Sequence, residues 1–198
     1  MITNGILPTK SRINEVHLSE QLGVSRTPLR EALATLVSEG ALENRPRKGN
    51  FVRPLTREEF ESIYAIRPIL DIEALRLSGI PERENLDRLV ALNEKLREAK
   101  SARTRIARDD DWHLLLVQNC GNQVLLDLIR QFIFRTRRYE IAYLKNSNNA
   151  STAYEEHLVI IHALRDGDLS GACDGLKQNL TSGISPILVW LDTLKEHN

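Results

Sequence analysis

A chain of 198 residues with 41% apolar side chains can bury a real core, and it is long enough for two small domains. Its 27 lysines and arginines balance 27 acids, yet residues 1–57 hold nine basic against five acidic side chains and residues 58–198 hold eighteen against twenty-two, a basic head on an acidic body. Cys120 and Cys173 stand apart from any C-x-x-C spacing, no apolar run approaches the roughly 18 residues of a membrane span, and MITNGILPTK lacks the order of a signal peptide. Disulfide-framework and membrane classes are excluded on these grounds, and a cytoplasmic protein is expected.

In chain order, NEVHLSEQLG reads as a short helix capped by Asn14, with Leu18 and Leu22 on one side and Gly23 as its stop. Ser25 then caps a second helix that tolerates Pro28 in its first turn and places Leu29, Leu33 and Leu36 on one face. Arg26, Thr27 and Arg30 are left on the other side, at the front of that helix. Two short helices joined by a glycine turn, with donors at the start of the second, match a helix-turn-helix. After Glu39-Gly40, residues Ala41 to Arg45 and Asn50 to Pro54 read as two strands around the turn Pro46-Arg47-Lys48-Gly49, a hairpin with a basic tip. An arginine fork can pair with guanine O6 and N7, and Arg47 or Lys48 can neutralise phosphate or enter a minor groove, so double-stranded DNA is the expected partner. A helical hairpin whose Arg26 and Arg30 form a solvated face is the alternative; it leaves the wing and the basic bias unexplained.

From Thr56 onward the pattern is helical. Thr56 and Glu59 make a capping box, Pro68 predicts a kink or break, and Pro81 separates the next helix, over about 82 to 100. Further helices are predicted over about 103 to 119, 122 to 145, and Thr152 to Arg165, the last opening on a capping box of Thr152 and Glu155. Asp166-Gly167-Asp168 turns the chain into another, and Gly183 to Pro186 precedes a final helix. This is an antiparallel helical bundle. Asp109 and His113 share one helix face a turn apart, and His157 lies early in a later helix. Carboxylate and imidazole together can ligate Zn, Ni or Mn; an ordinary Asp–His helix pair and a satisfied core histidine are the alternatives.

Two stretches carry a resemblance. LSEQLGVSRTPLREALATLVSEGALENRPRKGNFV, residues 18–52, resembles the winged helix-turn-helix of the GntR superfamily. The resemblance implies DNA contacts at Ser25, Arg26, Thr27 and Arg30, and at Gly49, where a side chain would obstruct backbone approach. Val16 departs from it, since members often carry a DNA-contacting arginine there. Only Met-Ile-Thr precedes NGILP, where relatives have a full helix, so the first of three helices is expected to be mostly absent. DDDWHLLLVQNCGNQVL and EEHLVIIHALRDGDLSGACDGLKQNL resemble the FadR-type C-terminal domain, an all-helical effector-binding half. That domain implies a divalent metal held by one Asp and three His beneath a pocket for small organic or sugar acids. Asp109, His113 and His157 fall on three of the positions, and Asn179, a weaker neutral donor, falls on the fourth. His162 is no substitute, being about 140° around the helix from His157. Arg67 matches an arginine that can pair with an effector carboxylate, with a surface ion pair to Asp71 as the alternative. Asn122 matches a Gly-Asn step and is expected to cap the following helix; Trp112 and Trp190 are expected in a core or interface.

The expectation is a mainly α protein: a winged helix-turn-helix over residues 1–54 and an all-helical effector-binding and dimerisation domain over 55–198. Its function would be a ligand-responsive transcriptional regulator, in most cases a repressor, binding a palindromic operator as a homodimer and sensing a small carboxylate. Two rivals remain at this point. A metal-dependent hydrolase would leave the helix-turn-helix without a role and lacks a base or nucleophile marked by spacing; a DNA-binding protein without ligand control would need a collapsed pocket.

Overall fold

The structure, a computed structural model, describes residues 9–146 and 152–196. The expectation of a shortened first helix falls on residues 1–8, outside the described residues. Two compact units divide the chain between Thr56 and Arg57.

In the first unit, α1 (Glu15–Leu22) begins where Asn14 accepts from the backbone amides of Val16 and His17, at 3.1 and 3.2 Å. It ends at Gly23, whose φ of 66° is a left-handed conformation that costs a glycine little. The turn delivers the chain to α2 (Arg26–Ser38), with Ser25 at the N-cap in extended conformation but without a side-chain cap bond. Leu29 and Leu33 are buried, joining Ile13, Leu18, Leu42 and Val52 in a small core, and Leu36 packs against it half-buried. Strands β1 (Leu42–Arg45) and β2 (Gly49–Val52) pair antiparallel from Leu42 opposite Val52 to Arg45 opposite Gly49. The turn takes Pro46 to Lys48 only, so β2 starts one residue earlier than its sequence pattern suggests, while Ala41, Arg53 and Pro54 fall outside the paired register at the other end. The segment ahead of α1 adds an edge the sequence did not announce: Lys10 and Ile13 donate to Val52 and Asn50, Val52 donates to Ser11, and Arg12 bridges to Phe51.

The second unit is helical throughout its described residues: α3 (Arg57–Tyr64), α4 (Arg67–Ser78), α5 (Arg83–Arg97), α6 (Ala102–Leu116), α7 (Gln123–Asn146), α8 (Ala153–Arg165), α9 (Leu169–Ser182) and α10 (Ile184–Glu196). The break expected at Pro68 lies just before it, at Ala65 and Ile66, and Pro68 sits in the first turn of α4, where its missing N–H is no loss. Asn122 caps α7, accepting from Leu125 N at 3.1 Å, and Asp168 caps α9, accepting from Gly171 N at 2.8 Å. The Thr152–Glu155 capping box does not form: Thr152 makes no cap bond, and its hydroxyl donates to Glu156 at 2.9 Å instead. Glu59 is drawn across to α7, accepting from Arg135 and Tyr139. The core runs through Leu89, Trp112, Ile129, Ile160, Leu164 and Leu176, all but sealed from solvent, each such side chain contributing about 1.5–3 kcal/mol. Gly175 lets α8 and α9 close on each other, since a Cβ there would stand 3.1 Å from Ile160 Cγ1. That approach brings His157 and Asn179 to one place.

Candidate functional site

The two units carry separate candidate sites. In the first, the leucines that hold α2 down leave Ser25, Arg26, Thr27 and Arg30 exposed together at its front, and Arg47 and Lys48 exposed at the wing tip. Arg30 is not loose: its Nε donates to Glu15 at 2.9 Å across the turn, which leaves the Nη edge of the guanidinium as the part able to meet another partner. Glu15 is a residue that pattern reading passed over. Arg47 and Gly49 both have positive φ, 62° and 91°, and a Cβ on Gly49 would meet Arg12 at 3.7 Å. Val16 is exposed, so no cation stands at that position of α1.

The second site is a cavity of about 400 Å³ bounded by α3, α4, α6, α7, α8, α9 and α10. Asp109, His113, Asn179 and Arg67 line it with Tyr64, Glu140 and Glu156. Ligand atoms of Asp109, His113 and His157 lie within 4.8 Å of one another. Asp109 Oδ2 is 3.7 Å from His113 Nε2, and its Oδ1 is 3.5 Å from His157 Nε2. His162 is exposed, as its angular distance from His157 requires.

Hydrogen bonds fix the protonation of His157. Asn93 donates through Nδ2 to the Tyr154 carbonyl at 3.0 Å, so its Oδ1, 3.1 Å from His157 Nδ1, must be the acceptor. Nδ1 therefore carries the proton and Nε2 presents a lone pair. Neither His157 Nε2 nor Asp109 Oδ1, both sealed from solvent, has a hydrogen-bond partner. With Asp109 ionised, two acceptor lone pairs face each other, an unfavourable arrangement that a proton on Asp109 or a cation between them relieves, so the residues present fit a divalent metal. Trp112 stacks flat on His157, with centroids 3.6 Å apart and planes 5° from parallel, and holds the ring in place. Asn93 was visible in the sequence as a polar residue in the stripe of Leu89 and Leu96, a helical turn from each.

Burial governs the electrostatics. It lowers His157 to about 3 and takes His113 well below the ordinary imidazole value, with His157 and Arg67 adding to the effect on His113. Both rings are thus neutral and ready to ligate. Burial raises Asp109 well above the carboxylate range, helped by Glu140 and Asp110 and opposed by Arg67. Arg67 itself is buried, donating to Thr136 Oγ1 at 3.0 Å with Asp71 and Glu140 at 3.9 and 4.0 Å. Its pairing with Asp71 is an interior one rather than a surface one, and Arg67 also faces the cavity. Burial pushes Asp71 up to about 6 in spite of Arg67. Trp190 meets Tyr143 edge-on at 6.3 Å.

Residues 1–52 match the bacterial regulatory proteins of the gntR family, and residues 62–182 match the FCD domain. The Nta operon transcriptional regulator of Aminobacter aminovorans is 34% identical over 160 residues, 78% of this chain and 74% of that one. A probable D-xylose utilization operon transcriptional repressor from Paenarthrobacter nicotinovorans is 28% identical over 84% of this chain and 75% of its own. Among solved structures, E. coli McbR/YncC superposes with a TM-score of 0.81 at 26% identity, covering 100% of this chain and 93% of that one. The first two are named as a transcriptional regulator and a transcriptional repressor. With a winged helix-turn-helix followed by an FCD domain, the chain belongs to the gntR family of bacterial transcriptional regulators.

Proposed function

We propose that this regulator binds a palindromic operator as a homodimer and changes its affinity for DNA when a small organic or sugar acid fills the cavity of its helical unit. The face formed by Ser25, Arg26, Thr27 and Arg30 reads the major groove, with Arg47, Lys48 and Gly49 at the flanking phosphates. A divalent cation, Zn, Ni or Mn, held by Asp109, His113 and His157 with Asn179 beside them, would anchor the acid's carboxylate, and Arg67 would add positive charge to the same wall. The observation that carries the ligand half is the facing pair of partnerless acceptors, His157 Nε2 and Asp109 Oδ1, beside a cavity that Asp109 and His113 line. Repression is supported by the printed name of the D-xylose utilization relative. Regulation requires that the acid bind operator-bound and free protein with different affinity.

Selection of binding sites from random-sequence DNA tests the first half: inverted repeats are expected, and a single unrepeated site, or a monomer in sedimentation at micromolar concentration, overturns the dimer. Gel shifts on the selected site, with and without a panel of hydroxy, keto and sugar acids plus manganese, test the second. No movement of the midpoint with any acid would leave a DNA-binding protein without ligand control.

A further inference from the structure

Glu156 precedes the ligand His157 on α8, and its carboxylate is held at both ends. Thr152 Oγ1 donates to Oε1 at 2.9 Å and Asn179 Nδ2 donates to Oε2 at 2.8 Å. A carboxylate can only accept here, so it selects the nitrogen end of the Asn179 amide and turns the carbonyl end the other way. Asn179 is also in hydrogen-bonding contact with the His113 side chain, on the wall that holds Asp109. The amide therefore turns its oxygen toward His113, one of the three ligands.

We propose that Glu156 is a positioning residue that locks Asn179 Oδ1 toward Asp109, His113 and His157, making it the fourth protein donor and giving the site two nitrogens and two oxygens. This rests on the metal-anchored reading above. Carboxylate and carbonyl oxygens suit manganese, whereas added imidazole favours nickel and zinc. The oxygen at residue 179 narrows the lead that nickel would otherwise hold over manganese. Glu156 acts through Asn179, not through its charge alone.

Calorimetric titration of the chelator-stripped full chain with manganese and with nickel tests this. Asn179→His is expected to raise nickel affinity about tenfold or more and manganese affinity by less than about threefold. Glu156→Leu should weaken manganese binding by about tenfold, the usual scale for losing a partner of a ligand, while Glu156→Gln, which keeps an acceptor for the amide, stays within about threefold. In an Asn179→Ala background, Glu156→Leu should add less than about twofold. An equal loss in both backgrounds would reduce Glu156 to a distant charge and overturn the proposal. So would an unchanged nickel-to-manganese ratio in Asn179→His, or no binding of either ion by the wild type. Thermal melts of the metal-free variants separate misfolding from lost affinity, Glu156→Gln serving where Glu156→Leu does not fold. Gel shifts on the same samples read the DNA-binding function separately.

Discussion

Arg30 donates one edge of its guanidinium to Glu15 and leaves the other exposed, the edge proposed to meet DNA. An exposed pair of this kind adds little to stability, but it removes rotamers that base reading would otherwise have to freeze. Arg30→Ala and Arg26→Ala are each expected to cost about 1–3 kcal/mol of specific binding and to relax preference at one base position, whereas Lys48→Ala should weaken all sequences alike and reduce the salt slope by about one. Gel-shift titrations at several salt concentrations distinguish these, and unchanged affinity in both arginine variants removes them from the reading face. Asp71 offers a test of another kind. Its folded pKa of about 6 lies above the ordinary 3.8, so the folded state holds a proton that the unfolded chain has released between those values. The stability it contributes is complete below about pH 4 and lost as pH rises through about 6, a window of about 2–3 kcal/mol at about 1.4 kcal/mol per pKa unit. Asp71→Asn should therefore flatten the fall in unfolding free energy between pH 4 and pH 8, measured by denaturant titration; a parallel profile would mean that Asp71 is charged throughout.

At the scale of elements, the meeting of α8 and α9 sets the geometry of the ligand site. Gly175 permits it, and Gly175→Val should cost about 1–3 kcal/mol by overpacking against Ile160 and also weaken metal binding, since His157 and Asn179 ride on the two helices. Calorimetry on the variant reads both; normal metal affinity in a destabilised protein would uncouple the contact from the site. Most helix ends were legible in the sequence because Asn14, Gly23, Asn122 and Asp168 act locally, within a turn of their own position. Thr152 and Glu155 carry the same local signal and failed, because Glu156, held also by Asn179, takes the Thr152 hydroxyl. The strand edge made by residues 10–13 was hidden for a similar reason: four residues with no alternation find their partners only through β2. Asp109, His113 and His157 could be proposed from spacing and resemblance. Glu140, Tyr64 and Glu156 could not, since acids and a tyrosine on a helix give no sign of facing inward until the neighbouring helices are placed.

For the whole molecule, two cores of unequal size imply two unequal stabilities. Among the described residues, the first unit rests on a cluster of six buried apolar side chains and a two-stranded wing, the second on a continuous core fed by its helices. Scanning calorimetry should resolve two transitions, and manganese at about a hundredfold above its dissociation constant should raise that of the helical unit by about 2.7 kcal/mol in free energy. A single transition insensitive to manganese would contradict both statements. The facing lone pairs of His157 and Asp109 then acquire a meaning outside ligand recognition. A body that folds more firmly around a cation spends less time open to proteases, so in a cell starved of that cation the protein would be cleared faster than it is made. Its concentration, and with it the fraction of operators covered, would follow the supply of the ion even when no acid is present.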